Sequence, residues 1–488
     1  VTISRTRQAG LLSSVDMLRF LFKSVIGIVL ARVLSQEDYG SYRQLFLVYA
    51  TFSTLLLVGI PQSMLYFVPK LSSEKRSMYI TRIVDMVSVL ALAFSLLILA
   101  FSPLISNVFR NPGLKNLLII FSVYPLFMFV NQIYSFMMLG MQKISNVIAF
   151  SIFSIVTDIL LIAGIALLTH SLFYIVLGLI ISAFLQWLFV RVQLHRYSSK
   201  YEWDIEFYKD QLRYSIPLGL SSIIGMLTIQ LDKLVISSVF SPSAFAVFSI
   251  GAMELPFIGI LANSVNSVLL PVLSKSGHLP EAEQIIRGSI RKNALIIFPT
   301  AILCFLLATD IISFLYGSTY EESAPYFRIY LVTILLRVGS YGIIFQALNK
   351  NKYILRNAII TLLGNLILNL ILVYSPLGMK GPAVATVIIT YFSAGLYLWW
   401  MRRDLGMNIG RMFPLMQLAK TFTASLIAGL VLAIVLPSIG SMLLRLILGT
   451  SLFGIVYLVS AYLSGAILPY DLTTARSFIL ELRERFRK

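Results

Sequence analysis

The chain has one cysteine and three histidines in 488 residues. Cys304 can form no intramolecular disulfide, and His170, His195 and His278 are scattered, with none of the spacings that ligate a metal. No Gly-Lys-Ser/Thr phosphate loop is present, so the usual apparatus of ATP hydrolysis is missing. Charge is scarce as well. Only 12% of residues are charged against 58% hydrophobic, and the mean hydropathy is +0.87, a balance that no water-soluble fold of this size keeps. What remains is an all-α polytopic membrane protein, because the apolar runs are roughly 20 residues long, twice the length of a barrel strand.

The runs predict spans at about 14–34, 41–62, 83–106, 117–139, 146–168, 171–190, 215–239, 245–272, 293–316, 325–348, 354–374, 381–401, 414–436 and 441–466, about fourteen helices. An even number puts both termini on one side. Roughly 28 of the 39 lysines and arginines lie in the tails and in the loops facing with them, which makes that side cytoplasmic. The formal charge of +18 is then mostly an orientation signal plus attraction to anionic lipid, and no nucleic-acid partner is expected. The loops are too short for a soluble catalytic domain. The first apolar run is interrupted by charge and belongs to a repeat, so it reads as a span and not as a cleavable leader. Residues 471–488 read as a basic amphipathic helix on the cytoplasmic surface, or a solvated tail.

Within the first span, Arg19 and Lys23 stand one helical turn apart, on a stripe with Asp16 and Gly27. A basic residue in mid-span costs about 2.5 to 3.5 kcal/mol, so it persists where it faces a wet cavity or binds an anion. Asp158 sits midway along the fifth span with no basic neighbour on its own helix, which suits a proton or sodium site or a neutral, hydrogen-bonded acid. Asp85, close to a cytoplasmic end, reads as a solvated or gate-closing charge. Pro61, Pro125, Pro256, Pro271 and Pro299 fall inside spans, where they can kink helices or merely pack.

An internal repeat organises the chain. Leu11-Leu12-Ser13-Ser14 leading to Ala31-Arg32-Val33-Leu34-Ser35 and Tyr39-Gly40 recurs as Leu218-Gly219-Leu220-Ser221-Ser222 leading to Ser238-Val239-Phe240-Ser241 and Phe245-Ala246. The second helix of each copy ends alike, in Val68-Pro69-Lys70 and Leu270-Pro271-Val272, and Asn146 with Asp158 is echoed by Asn357 with Asn369. The spacing of about six helices predicts two six-helix lobes around a central cavity, 1–200 and 201–410, with two appended helices over 411–470.

Taken with Leu212-Arg213-Tyr214-Ser215-Ile216-Pro217, Asn365 with Leu368-Asn369, and Gly378 through Gly381-Pro382-Ala383-Val384-Ala385-Thr386, this order of motifs resembles the polysaccharide-transporter branch of the multidrug, oligosaccharidyl-lipid and polysaccharide exporter superfamily, the O-antigen-type flippases. The resemblance spans nearly the whole chain and implies two lobes opening alternately to either side of the bacterial cytoplasmic membrane. It also implies an oligosaccharide on a polyprenyl diphosphate as substrate. Such a cargo needs positive charge and hydrogen bonds in its path. Arg19, Lys23 and Arg337, with Lys233 as a weaker member, are the diphosphate candidates. Asn263, Asn266, Gln132 and Tyr42 or Tyr341 can contact sugars or bridge helices. Asp158, Asp232 and Glu254 are candidates for ion coupling.

The plainer reading pairs these charges with one another: Asp16 with Arg19, Asp232 with Lys233 or Arg337, and Glu254 with Arg337. Asn365 and Asn369 favour helix-to-helix hydrogen bonds. No cofactor and no metal are expected, only a proton or sodium gradient or the membrane potential as drive, with membrane lipids and other glycan-assembly proteins as partners. Two other classes remain: a small-molecule or drug exporter of the same superfamily, for which the cavity has more basic residues than expected, and a membrane-bound glycan polymerase or ligase, for which the extracytoplasmic turns are too short.

Overall fold

The structure is a computed structural model that describes residues 5–197, 199, 204–253, 255, 258–259, 266, 269–274, 279–468 and 471; its described residues are helical and contain no strand. Nine helices among them are long and apolar enough to cross a membrane, and up to eleven if each of two bent pairs is one span. Three further expected spans account for the difference from fourteen. The first is interrupted by Arg19, Lys23 and Arg32; that over 245–272 falls partly outside the described residues; that over 325–348 is broken.

Packing divides the chain into two units, residues 1–249 with 365–382, and 250–364 with 383–488. In the first, α1 (Arg5–Val33) leads to α2 (Gln36–Leu57) and α3 (Ile60–Phe67), then α4 (Ser73–Val108), α5 (Leu114–Phe121), α6 (Tyr124–Gly140), α7 (Ile144–Asp158), α8 (Gly164–Thr169), α9 (Leu172–His195), α10 (Ile205–Val239) and most of α11 (Pro242–Gly251). Ser35 caps α2, its Oγ accepting from the Asp38 amide at 3.1 Å, and the repeat-related Ser241 accepts from the Ala244 amide at 3.3 Å. The two copies thus start their second helix by the same capping chemistry. α2 and α3 meet at 41°, α5 and α6 at 53°, and in each pair a proline, Pro61 or Pro125, stands in the first turn after the bend, where its missing N–H costs nothing. Pro299 lies inside a continuous helix. Pro271 lies in the helical stretch 269–274, and Pro256 outside the described residues.

The first unit runs on past residue 200, since α10 packs along α2 and α3. Gln44 Nε2 donates to Ser237 Oγ at 2.9 Å near one end of that seam, and Asn111 Nδ2 donates to Ser41 Oγ and Gln44 Oε1 at 2.8 and 2.7 Å. Gln211 Nε2 donates to Ser63 Oγ at 2.6 Å near the other end, where Tyr66 stacks on Tyr214 at 4.6 Å. The lobe boundary read from the repeat and the boundary of the packing unit are therefore different places in the chain.

The second unit contains α12 (Leu279–Leu306), α13 (Ala308–Tyr316), α14 (Ala324–Ile334), α15 (Ile343–Ala347), part of α16 (Asn351–Val373), most of α17 (Lys380–Leu405), the short α18 (Ile409–Met412), and α19 (Leu415–Val435) with α20 (Met442–Leu463). The last two helices are built into this unit. Leu307, Ala424, Ala428, Leu432, Phe453 and Tyr457 form a shared buried cluster. Arg445 of α20 grips Asp310 of α13 with Nη2 at 2.6 Å and Nε at 3.0 Å, and Arg291 of α12 forks onto Asp471 at 2.6 and 2.7 Å. Apart from Asp471, the tail 471–488 lies outside the described residues.

Candidate functional site

In the first unit α1 lies against α7, and this brings the basic stripe over a carboxylate. Arg19 is half-buried; its Nη2 donates to Ser154 Oγ at 3.3 Å, and its guanidinium stands 5.5 Å from the Phe150 ring centre. Lys23, one turn on, is exposed. Both act electrostatically on Asp158, the last residue of α7. Asp158 Oδ1 also accepts from Ser182 Oγ at 2.7 Å and from Gln186 Nε2 at 2.9 Å. The carboxylate that has no basic neighbour on its own helix gains two from α1 and two hydrogen-bond donors from α9. Ser182 and Gln186, four apart in an apolar run, were the only sequence signal for those donors.

Directly after Asp158 the helix widens into a π-helical turn, Ile159–Ala163, before α8 resumes the α ladder. Such turns interrupt regular hydrogen bonding and cluster at functional positions. No glycine or proline inside the turn announces it. Tyr42 and Tyr124 lie within electrostatic range of the same carboxylate, in an aromatic wall where Tyr49 and Tyr124 meet edge-on at 5.1 Å.

Other candidates are drawn into the protein's own bonding. Gln132 Nε2 donates to Tyr49 OH at 2.6 Å, bridging α6 to α2. Lys233 Nζ donates to the Ile229 carbonyl at 3.1 Å and stands 3.9 Å from Asp232, whose Oδ1 accepts from the Lys233 amide at 2.7 Å. Asn365 Nδ2 reaches the Thr228 carbonyl at 3.4 Å, and Asn369 Nδ2 donates to Asn365 Oδ1 at 2.9 Å, a bridge between α16 and α10. Asn263, Glu254 and the Asp16 side chain lie outside the described residues.

In the second unit, Arg337 and Asn266 line one cavity of about 480 Å³, together with Ser340, Tyr341, Gln346 and Tyr397. The cavity exists because the span over 325–348 is discontinuous. α14 stops at Ile334, a 3₁₀ turn covers Leu335–Val338, Gly339 is extended, and α15 starts at Ile343. One freed carbonyl, that of Val338, accepts from Asn293 Nδ2 at 3.0 Å. Irregular backbone at membrane depth is tolerated where it is buried in protein or lines a cavity, and broken helices line transporter binding sites. Among the described residues no three His, Cys, Asp or Glu side chains are gathered to hold a metal ion.

Residues 29–325 match the sequence profile of the family described as polysaccharide biosynthesis protein. The capsular polysaccharide biosynthesis protein CapF of Staphylococcus aureus is 26% identical over 346 residues, 68% of this chain and 80% of that one. The probable lipid II flippase MurJ of Synechocystis is 27% identical over 251 residues, 48% of this chain and 46% of that one. Among solved structures, the lipid II flippase MurJ in an inward closed conformation superposes with a TM-score of 0.78 at 18% identity, over 93% of this chain and 98% of that one. A multidrug resistance transporter of the MATE family, described as of the MOP superfamily and inward-facing, gives 0.63 at 18% identity over 80% and 94%. The fold is thus that of these transporters.

Proposed function

The chain belongs to the polysaccharide biosynthesis protein family, and on that premise we propose that it flips a polyprenyl-diphosphate-linked oligosaccharide from the cytoplasmic to the outer leaflet of the bacterial cytoplasmic membrane by alternating access. Both termini are cytoplasmic, residues 1–200 and 201–410 act as the moving lobes, and 411–470 accompany the second. The protein is a transporter that needs no cofactor.

The observation that carries this reading is the triad of Arg19, Lys23 and Asp158 at the π-helical turn. A substrate diphosphate brings about two negative charges that hydrocarbon cannot accept. Arg19 and Lys23 replace its lost hydration with charge-assisted hydrogen bonds. Asp158 balances the two cations while the site is empty, and Ser182 and Gln186 hold it in place. Arg337, on the broken span of the second unit, and Asn266, which lines the same cavity, supply a cation and an amide there. The polyprenyl tail stays in the bilayer.

Moving two negative charges outward across an inside-negative membrane releases roughly 4.6 kcal/mol per 100 mV, so the potential is a sufficient drive without a coupled proton or sodium ion. Other proteins of glycan assembly supply the substrate and consume the product. The test is flipping of a lipid-linked oligosaccharide in vesicles by the double variant Arg19→Gln with Lys23→Gln. Flipping is expected to be lost while insertion and thermal stability persist. Normal flipping by the variant would reduce these residues to structural ion pairs.

A further inference from the structure

Within the first unit, α4 and α9 flank a second cavity of about 750 Å³, at the end of the spans next to the basic loops. Thr81 and Asp85 of α4 and Arg191 and His195 of α9 line it, with Val84 and Val192 as apolar walls. Asp85 and Arg191 are close enough to act on one another electrostatically. Neither side chain makes a hydrogen bond within the described residues; the Arg191 guanidinium instead lies over the Trp187 ring, 5.7 Å from its centre. The cavity therefore presents one negative and one positive group, both open to a ligand.

Below this polar mouth each helix continues as an apolar stripe on the same face. From Asp85 the helical spacing leads to Val89, Leu92 and Leu96, exposed by 66%, 50% and 57%. From Arg191 and His195 it leads to Leu188, Phe184 and Ile181, exposed by 46%, 41% and 46%. Trp187 stacks with Phe184 at 6.0 Å, an arrangement suited to the depth where headgroups meet hydrocarbon. A charged mouth over two apolar stripes has the polarity of one phospholipid molecule, head at the mouth and chains along the helices.

We propose that this groove binds a zwitterionic phospholipid with a primary amine headgroup, a phosphatidylethanolamine. The lipid phosphate accepts from Arg191, and the ammonium donates to Asp85. Charge complementarity selects the occupant. Asp85 repels a headgroup of net negative charge, and a diphosphate most of all, whereas a quaternary amine has no N–H to donate to it.

The experiment is native mass spectrometry of the intact protein, released from vesicles and titrated with phosphatidylethanolamine, phosphatidylglycerol, phosphatidylcholine and a polyprenyl diphosphate. The ethanolamine lipid is expected to be retained preferentially as one adduct. Asp85→Asn is expected to weaken that adduct about tenfold and erase the preference over phosphatidylcholine, and Arg191→Gln to weaken all the phospholipids. Val192→Trp, at a position 60% exposed and so of little consequence for folding, is expected to block the groove with both charges intact. Equal or better retention of phosphatidylglycerol would overturn the proposal. So would displacement by the diphosphate, or adducts indifferent to all three variants.

Discussion

Gly59 and Gly219 meet backbone to backbone. A Cβ on Gly59 would stand 2.6 Å from the Gly219 nitrogen, and one on Gly219 would stand 2.3 Å from the Val58 carbonyl carbon. The contact lies at the break between α2 and α3, where Val58 and Gly59 carry φ of +30° and +78°. A β-branched residue at positive φ is strained, and the close seat against α10 is what holds it there. The seam of α10 with α2 and α3 is thus pinned at its middle by glycine and toward its ends by Gln44–Ser237 and Ser63–Gln211.

The first prediction concerns that seam. Gly219→Val is expected to lower stability by about 1 to 3 kcal/mol, because no neighbouring side chain can yield to the added atoms. Thermal unfolding in detergent measures it. In a chain with Cys304→Ser, the pair Gln44→Cys and Ser237→Cys is expected to cross-link under oxidation and to stop flipping, with recovery on reduction. Unchanged flipping by the oxidised protein would show that the seam stays closed throughout the cycle.

Asp158→Asn removes a carboxylate that acts on both Arg19 and Lys23. Substrate is then expected to bind more tightly and leave more slowly, so that half-saturation and maximal flipping rate fall together by several-fold. Flipping in vesicles held at zero potential with an imposed proton or sodium gradient is expected to show no stimulation. Strong stimulation there, lost in Asp158→Asn, would assign the drive to a coupled ion.

Arg445→Met is expected to lower the unfolding temperature by about 5 °C, since it leaves Asp310, 10% exposed at its side chain, without its forked partner. Asp310→Asn with Arg445→Gln, which removes both charges at similar volume, is expected to recover much of the loss. A double variant no better than the single one would mean that packing, and not the ion pair, seats α20.

A pH dependence follows from Asp471. The Arg291 guanidinium forked onto it and the Leu468 amide hold its carboxyl below the usual carboxylate range, against the opposing effect of burial. A carboxyl whose pKa is lower folded than unfolded stabilises fully above its unfolded value, about 3.9, and that contribution is lost as pH falls through the lower folded value. Protease resistance after Leu463 is expected to persist to below about pH 4 in the native chain. In Arg291→Gln it is expected to be weaker already at pH 7 and less dependent on acid. Identical acid profiles for the two proteins would count against the tether.

The membrane class, the positions of most apolar spans, the repeat and the basic stripe on α1 were legible from residue order, because apolar length, helical spacing and self-similarity are properties along one dimension. What residue order left open was which distant groups meet. Asp158 looked isolated because Arg19, Lys23, Ser182 and Gln186 reach it from other helices. The π-helical turn contains no glycine or proline to announce it, and Gly339 and Gly342 alone did not tell that the span over 325–348 is broken, where the Val338 carbonyl is satisfied by Asn293, more than forty positions away. The packing of α10 with the first unit was likewise decided by shape. Gly59 at the break and Gly219 inside α10 became the residues that fit, once their backbones were pressed together.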